Sequence, residues 1–266
     1  MPDDFLHTTL GDAGRPVFRL GLSASYKPGE PALRSGIEAG MNYLHWYLWQ
    51  GQMTRVLREV LPANREKLVV ATGVNRVPAW LVRRLIDRCR RKLRTDYLDV
   101  FHIFMVGDGG LSERMLEALR QAKAEGKIRA IAVSTHVRRY GAELAQAGKL
   151  DVLMMRYNAA HRGAEHEIFP LLGTTRPGVV SYTATCWRKL LKRPGQWPSS
   201  ERIPSAGDCY RFVLGNPNVD VCLTAPRSAR ELEENLAAVA RGPLSEEEMS
   251  AMRRFGDAVH ERSRWF

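Results

Sequence analysis

The sequence predicts an α/β fold, a closed (β/α)8 TIM barrel, as a single domain over residues 1–266. Three observations carry that reading. Eight short apolar or alternating segments have the pattern of strands, and each is followed by a stretch whose apolar residues recur at helical spacing. Strands that alternate with helices run parallel with right-handed crossovers, and closing them on themselves removes exposed sheet edges. The chain has the length of one such barrel, which takes roughly 250 residues, and no stretch of it has the composition of an interdomain linker.

Taken in order, residues 7–10 form a short strand, part of an N-terminal hairpin, ahead of a first barrel strand at 17–22. The other strands are expected at 41–47, 68–73, 98–104, 129–134, 152–156, 178–183 and 219–224. Helical patterns fill 31–39, 53–61, 79–94, 112–125, 138–147, 165–172, 207–214 and 229–240. Ser228 with Glu231, and Ser245 with Glu248, have the spacing by which a hydroxyl and a carboxylate satisfy backbone donors at a helix start. They begin the last barrel helix and a C-terminal helix beyond it. The long irregular stretch 189–205 carries Pro194, Gly195, Pro198 and Pro204 and leaves the face where barrel sites lie, so it is the expected lid, with basic residues Arg188, Lys189, Lys192 and Arg193 at its root.

Composition narrows the function. With 44% hydrophobic residues the chain can bury a large core. No apolar run is long enough for a membrane span, and the start, Met-Pro-Asp-Asp-Phe, is no secretory signal, so a cytoplasmic protein with no membrane partner is expected. Cys89, Cys186, Cys209 and Cys222 are widely spaced and read as reduced and structural. The net charge of +11 is spread over many arginines. Its densest run, 83–94, sets Val82, Leu85, Ile86, Cys89 and Leu93 on one helical face and arginines on the other, which reads as a solvated surface rather than a nucleic-acid patch. His136, His161, His166 and Asp108 follow strands, but no histidine pair has helical ligand spacing and no metal site is expected. Dinucleotide-fingerprint, P-loop and nucleophile-elbow motifs are absent from the sequence.

The chemistry concentrates in 40–51, Gly-Met-Asn-Tyr-Leu-His-Trp-Tyr-Leu-Trp-Gln-Gly. Period-2 alternation sets Tyr43, His45 and Tyr47 on one face, a titratable ring between two phenols at the carboxyl end of a strand, where barrels keep their active sites. His45 is the candidate acid-base and Tyr47 its partner. Tyr43, Trp49, Gln50, Phe104, His136, Arg156 and Tyr182 are expected to complete the pocket. A buried guanidinium at Arg156 calls for a carboxylate or an anionic ligand, and the aromatics Trp46, Trp49 and Trp187 for a planar or apolar one. Trp46 reads equally as a packing residue turned outward. His102 reads as a hydrogen-bonded core histidine.

The segment Gly126-Lys127-Ile128-Arg129-Ala130-Ile131-Ala132-Val133-Ser134 resembles one in the aldo-keto reductases. Arg19-Leu20-Gly21-Leu22, Asp96-Tyr97-Leu98-Asp99, Tyr157-Asn158, Val180-Ser181-Tyr182, Leu214-Gly215-Asn216-Pro217, Arg227-Ser228 and Glu233-Glu234-Asn235-Leu236 are similar to that family in order and spacing. The resemblance implies the same barrel and carbonyl reduction with NADPH. It also implies that the catalytic tetrad is gone. His45 stands at the aspartate, Gln50 at the tyrosine, Gly73 at the lysine and Phe104 at the histidine. Of the cofactor contacts, Thr135 and Met154 replace an asparagine and a glutamine, and Ala225-Pro226 replaces Lys-Ser. Ser134, Tyr182, Arg227, Ser228, Glu234 and Asn235 remain, so the cofactor is either NADPH or none.

Three functions stand open on the sequence. The first is a rebuilt pocket that binds a small organic molecule, anionic or aromatic, and works by non-redox proton transfer. The second is an unorthodox NAD(P)H-dependent oxidoreductase, and the third a non-catalytic pseudoenzyme with a binding or regulatory role.

Overall fold

The computed structural model describes residues 4–75, 77–173, 176–195 and 197–261. Strands β1 (His7–Leu10) and β2 (Arg15–Phe18) pair antiparallel as a hairpin. The barrel is closed by eight parallel strands, β3 (Leu20–Ser23), β4 (Tyr43–His45), β5 (Val69–Val74), β6 (Leu98–Ile103), β7 (Ile128–Thr135), β8 (Val152–Arg156), β9 (Gly178–Tyr182) and β10 (Val221–Thr224), with β10 pairing β3. Helices α1 (Glu30–Glu38), α2 (Gly51–Asn64), α3 (Ala79–Leu93), α4 (Glu113–Ala124), α5 (Arg138–Gln146), α6 (Ala164–Glu167), α7 (Ala206–Leu214) and α8 (Ala229–Val239) surround it, and α9 (Glu246–His260) follows. No helix among the described residues is long and apolar enough to cross a membrane.

Each strand splits its residues between two cores. One set, with Leu44, Val70 and Phe101, packs outward against the helices. The other, with Tyr43, Val69, Ala71, Val100, Ala132, Met154 and Val180, fills the barrel. The hairpin contributes Leu10 and Val17 to this inner core, so it plugs the amino end and leaves the carboxyl end open. A Cβ on Gly21 would come within 3.0 Å of the Tyr43 ring, so glycine there admits a phenol to the interior.

The element order follows the sequence pattern, with two corrections. The expected strand 17–22 is two strands in different sheets, because the chain bends at Arg19, whose guanidinium donates to the carbonyls of Leu214 and Val219 at 2.8 Å. The expected helix 165–172 breaks after Glu167 into a 3-10 turn, Phe169–Leu171, since Pro170 cannot donate to the preceding turn. The Ser245–Glu248 box forms in full, at Ser228 the hydroxyl caps α8 while Glu231 accepts from Arg227 N–H, and Ser205 with Asp208 makes a further capping box at α7.

Candidate functional site

The site is built on the early end of β4. The strand expected over 41–47 stops at His45, and a turn follows in which Gln50 N–H donates to the Tyr47 carbonyl at 2.9 Å. Trp46 turns outward, fully buried against α2, with its indole N–H 2.9 Å from Thr54 Oγ1. Tyr47 folds back so that its ring meets His45 edge-on, 4.9 Å between centroids, although it lies beyond the strand.

His45, Tyr47 and Tyr182 line a cavity of about 210 Å³ at the carboxyl end, together with Ser23, Ser25 and Met154. No lysine, aspartate or glutamate lines it among the described residues. The His45 imidazole is only 1% exposed, and neither ring nitrogen has a hydrogen-bond partner. Burial pushes its pKa down to about 4, so the ring is neutral at pH 7. Below it lies His102, 5.6 Å away between centroids, also without a partner at either nitrogen and also held low by burial, with His45 adding to the effect. His102 is thus a core histidine, but not the hydrogen-bonded one that the sequence suggests.

The other expected pocket residues take different places. Tyr43 is buried one layer down, in the inner core, and its hydroxyl has no partner. Phe104 backs Tyr47 at 5.4 Å. Trp49 is 63% exposed and stacks on Tyr47 at 5.6 Å, forming the outer rim. Gln50 is buried and used up in structure: its Nε2 reaches Ser23 Oγ at 3.4 Å and Ser25 Oγ at 3.3 Å, while its Oε1 accepts from Tyr47 N–H at 3.2 Å. His136 sits at the opposite rim with Nε2 3.1 Å from the Tyr182 hydroxyl, and partial desolvation with the Arg156 charge holds its pKa low. Burial raises Tyr182 to about 12, against the pull of Arg156 and Ser134. Asp99 and Asp151 are engaged at the amino end and are not partners of Arg156.

The cavity continues past Tyr26, Thr185, Trp187 and Tyr210 into a groove of about 270 Å³ that reaches Arg188, Arg227, Glu234 and Asn235 at the start of α8. Arg227 lies over the Tyr26 ring at 5.3 Å. Ser228 is spent as the α8 cap, its Oγ accepting from Glu231 N–H at 3.2 Å, and Asn235 donates to Thr224 Oγ1 at 3.2 Å. Of the expected lid, Leu191 lines this groove, while the described residues from Trp197 to Glu201 pack toward α9. Trp197 packs edge-on against Phe255 of α9 at 4.8 Å, and Glu201 pairs with Arg254 at 3.1 Å. Among the described residues no group of three or more histidine, cysteine, aspartate or glutamate side chains could hold a metal, and all four cysteines are free and buried.

Ser23, Ser25, Tyr26, Thr183, Thr185 and Tyr210 were not legible as site residues. The hydroxyls follow strand ends, a positional signal that could have found them, whereas Tyr210 arrives from α7 and carries none.

A family model described as the aldo/keto reductase family matches residues 35–187. The chain belongs to the aldo/keto reductase family. Its relatives include L-galactose dehydrogenase of Arabidopsis thaliana, 24% identical over 279 residues and covering 86% of each chain. A second is the uncharacterized oxidoreductase YqkF of Bacillus subtilis (strain 168), 22% identical and covering 83% of this chain and 85% of its own. The holo form of an aldo-keto reductase from Bacillus halodurans superposes with a TM-score of 0.80, 21% identity and coverage of 95% and 96%. Against that family, Gly73 is informative: a Cβ there would meet the His102 carbonyl oxygen at 2.2 Å, so no side chain fits where the resemblance places a lysine.

The contacts for a nicotinamide cofactor that the resemblance implies fare differently at its two ends. The groove at α8 is open and carries arginines. At the other end, Thr135 donates to the Val106 carbonyl at 2.7 Å and Met154 offers only a thioether to the cavity, so neither supplies the amide contact that the resemblance places there.

Proposed function

We propose that this aldo/keto reductase family member binds a small organic acid at the barrel mouth and exchanges a proton with it, without hydride transfer. The observation that carries this reading is the unpartnered imidazole of His45, buried in the wall of a cavity that, among the described residues, has no other imidazole, amine or carboxylate in its lining. A buried polar group left unpaired is costly, and a ligand that hydrogen-bonds to it recovers that cost. With its pKa near 4 the ring is a weak base in the empty cavity. An acidic group beside it would raise that value toward neutrality, the range in which imidazole works well as acid and base. Tyr47, edge-on to the ring, and Arg156, whose charge is felt at His136 and Tyr182, favour an anionic planar ligand.

The test is a calorimetric panel of small aliphatic and aromatic carboxylates, with the His45 ring followed by nitrogen NMR. Binding that vanishes in His45→Leu, with the bound imidazole titrating above pH 5, is the expected result; binding indifferent to that change removes the proposal.

A second reading, an unorthodox NAD(P)H-dependent oxidoreductase, is favoured by the groove toward Arg227 and Asn235 and by the oxidoreductase names of the relatives. Saturable NADPH or NADH binding with oxidation of the nicotinamide would install it in place of the first. Ligand binding without turnover of any kind would leave a non-catalytic binding protein.

A further inference from the structure

Helix α3 separates its cations into two kinds. Arg83 pairs with Glu125, and Arg90 pairs with Asp87, which Lys127 also approaches at 3.4 Å; these groups are half-buried along the flanks. Arg84, Arg88, Arg91, Lys92 and Arg94 are exposed and form no ion pair with any described carboxylate. Helical spacing turns Trp80, Arg84, Arg88 and Arg91 away from the buried Val82, Ile86, Cys89 and Leu93, with Lys92 on the flank beside them. Trp80, 68% exposed, begins the stripe, with the Arg84 guanidinium 5.7 Å from its ring. Glu59, the acid of α2, is held by Arg34 at 2.6 Å, and on the α4 side Trp80 shares a groove with Glu117 and with Glu113, which Lys149 holds at 2.7 Å.

We propose that this face of α3 binds single-stranded nucleic acid, with phosphates on the arginines and Lys92 and one base stacked on Trp80. From Trp80 to Arg94 the stripe extends about 21 Å at 1.5 Å per residue, enough to follow several successive phosphates. Four of its five cations are arginines, whose planar fork matches phosphate oxygens. An exposed indole offers a sequence-tolerant platform for an unpaired base. A lipid surface suits the face less well, because an inserting helix needs an apolar side along its length and here only the first outward residue is apolar. The proposal departs from the plain solvated face expected from the sequence, where paired and unpaired arginines look alike.

Binding of the full chain to a fluorescein-labelled single-stranded oligothymidylate of roughly 20 nucleotides tests this by anisotropy, with five phosphate contacts predicting about a hundredfold weakening between about 50 and 200 mM salt. Arg84→Glu, Arg88→Glu and Arg91→Glu together should abolish binding, and Trp80→Ala should weaken it about fivefold or more. A charge-matched control, Lys27→Glu, Arg139→Glu and Lys192→Glu, should retain most of it. Circular dichroism checks folding, and the corresponding three Arg→Gln changes replace the reversal if it unfolds. Wild-type affinity in the α3 variant, equal loss in the control, or preference for phosphatidylserine vesicles over the strand would overturn the assignment.

Discussion

The two ends of the barrel differ in how their buried ionisable side chains are held. At the amino end, three aspartates standing at or beside the starts of β6, β8 and β10 repeat one device. Asp99 accepts from Val70 N–H at 2.9 Å and Arg65 at 2.8 Å. Asp151 accepts from Ile131 N–H at 2.8 Å and Lys123 at 2.7 Å, and Asp220 from Val179 N–H at 2.8 Å and Arg176 at 2.6 Å. Asn42, just before β4, does the same for Phe18 N–H at 2.8 Å. Each aspartate ties its strand to the one before it and has a cationic partner, while Asn42 ties β4 to the hairpin. At the carboxyl end His45 and His102 have no partner at any ring nitrogen. The contrast sets strand-tying carboxylates at one face against unpaired rings at the other, in keeping with the way barrels commonly divide stability and chemistry between their two faces.

Breaking the amino-end device should have the largest effect. Asp220→Ala leaves Arg176 without its bidentate carboxylate and Val179 N–H without its acceptor. Removing one partner of a buried pair costs about 3–5 kcal/mol. A fall of that size in urea unfolding free energy, at unchanged m-value, is expected; a change under about 1 kcal/mol would mean the ring of aspartates is decorative.

A drop in pH should act on the other end. His45 has a folded pKa near 4 against about 6.5 unfolded, so the unfolded chain takes the proton first. Its contribution to stability is therefore intact above about pH 6.5 and is lost as pH falls toward 4, with about 2 kcal/mol gone between pH 7 and 5. His102 and His136 are shifted in the same direction and add to the loss. Unfolding curves at pH 7 and 5 check this, and the paired changes His45→Phe and His102→Leu should flatten most of the difference.

How much of this was legible in the sequence follows from what periodicity encodes. Alternation and helical spacing carry the strand and helix order, and alternation also sets His45 and Tyr182 at one mouth, whereas Tyr47 reaches it through the turn after β4. It does not encode depth along the barrel axis, which is why Tyr43 falls below the cavity that it was expected to line. Nor does it show a bend within an unbroken apolar run, as at Arg19. Whether an inward histidine meets a partner depends on residues from other strands: Gly73 brings backbone against His102 and supplies no side chain to pair with it. The amino-end device left a faint trace, since an aspartate at or before a strand start reads as lying low in the barrel.

The smallest effect sharpens the comparison most. His102→Leu exchanges an unpaired polar ring for an apolar side chain among Phe104, stacked at 5.3 Å, and His45. Replacing an unsatisfied buried group in this way is nearly neutral or stabilising, in contrast to cutting a satisfied pair. At pH 7 the variant should match the parent within about 1 kcal/mol, and at pH 5 it should be the more stable of the two. A loss above about 2 kcal/mol at pH 7 would mean that the His102 ring makes a bond that leucine cannot replace. The two ends of the barrel would then follow the same rule, and the unpaired state of His45 would lose its meaning as the mark of a binding site.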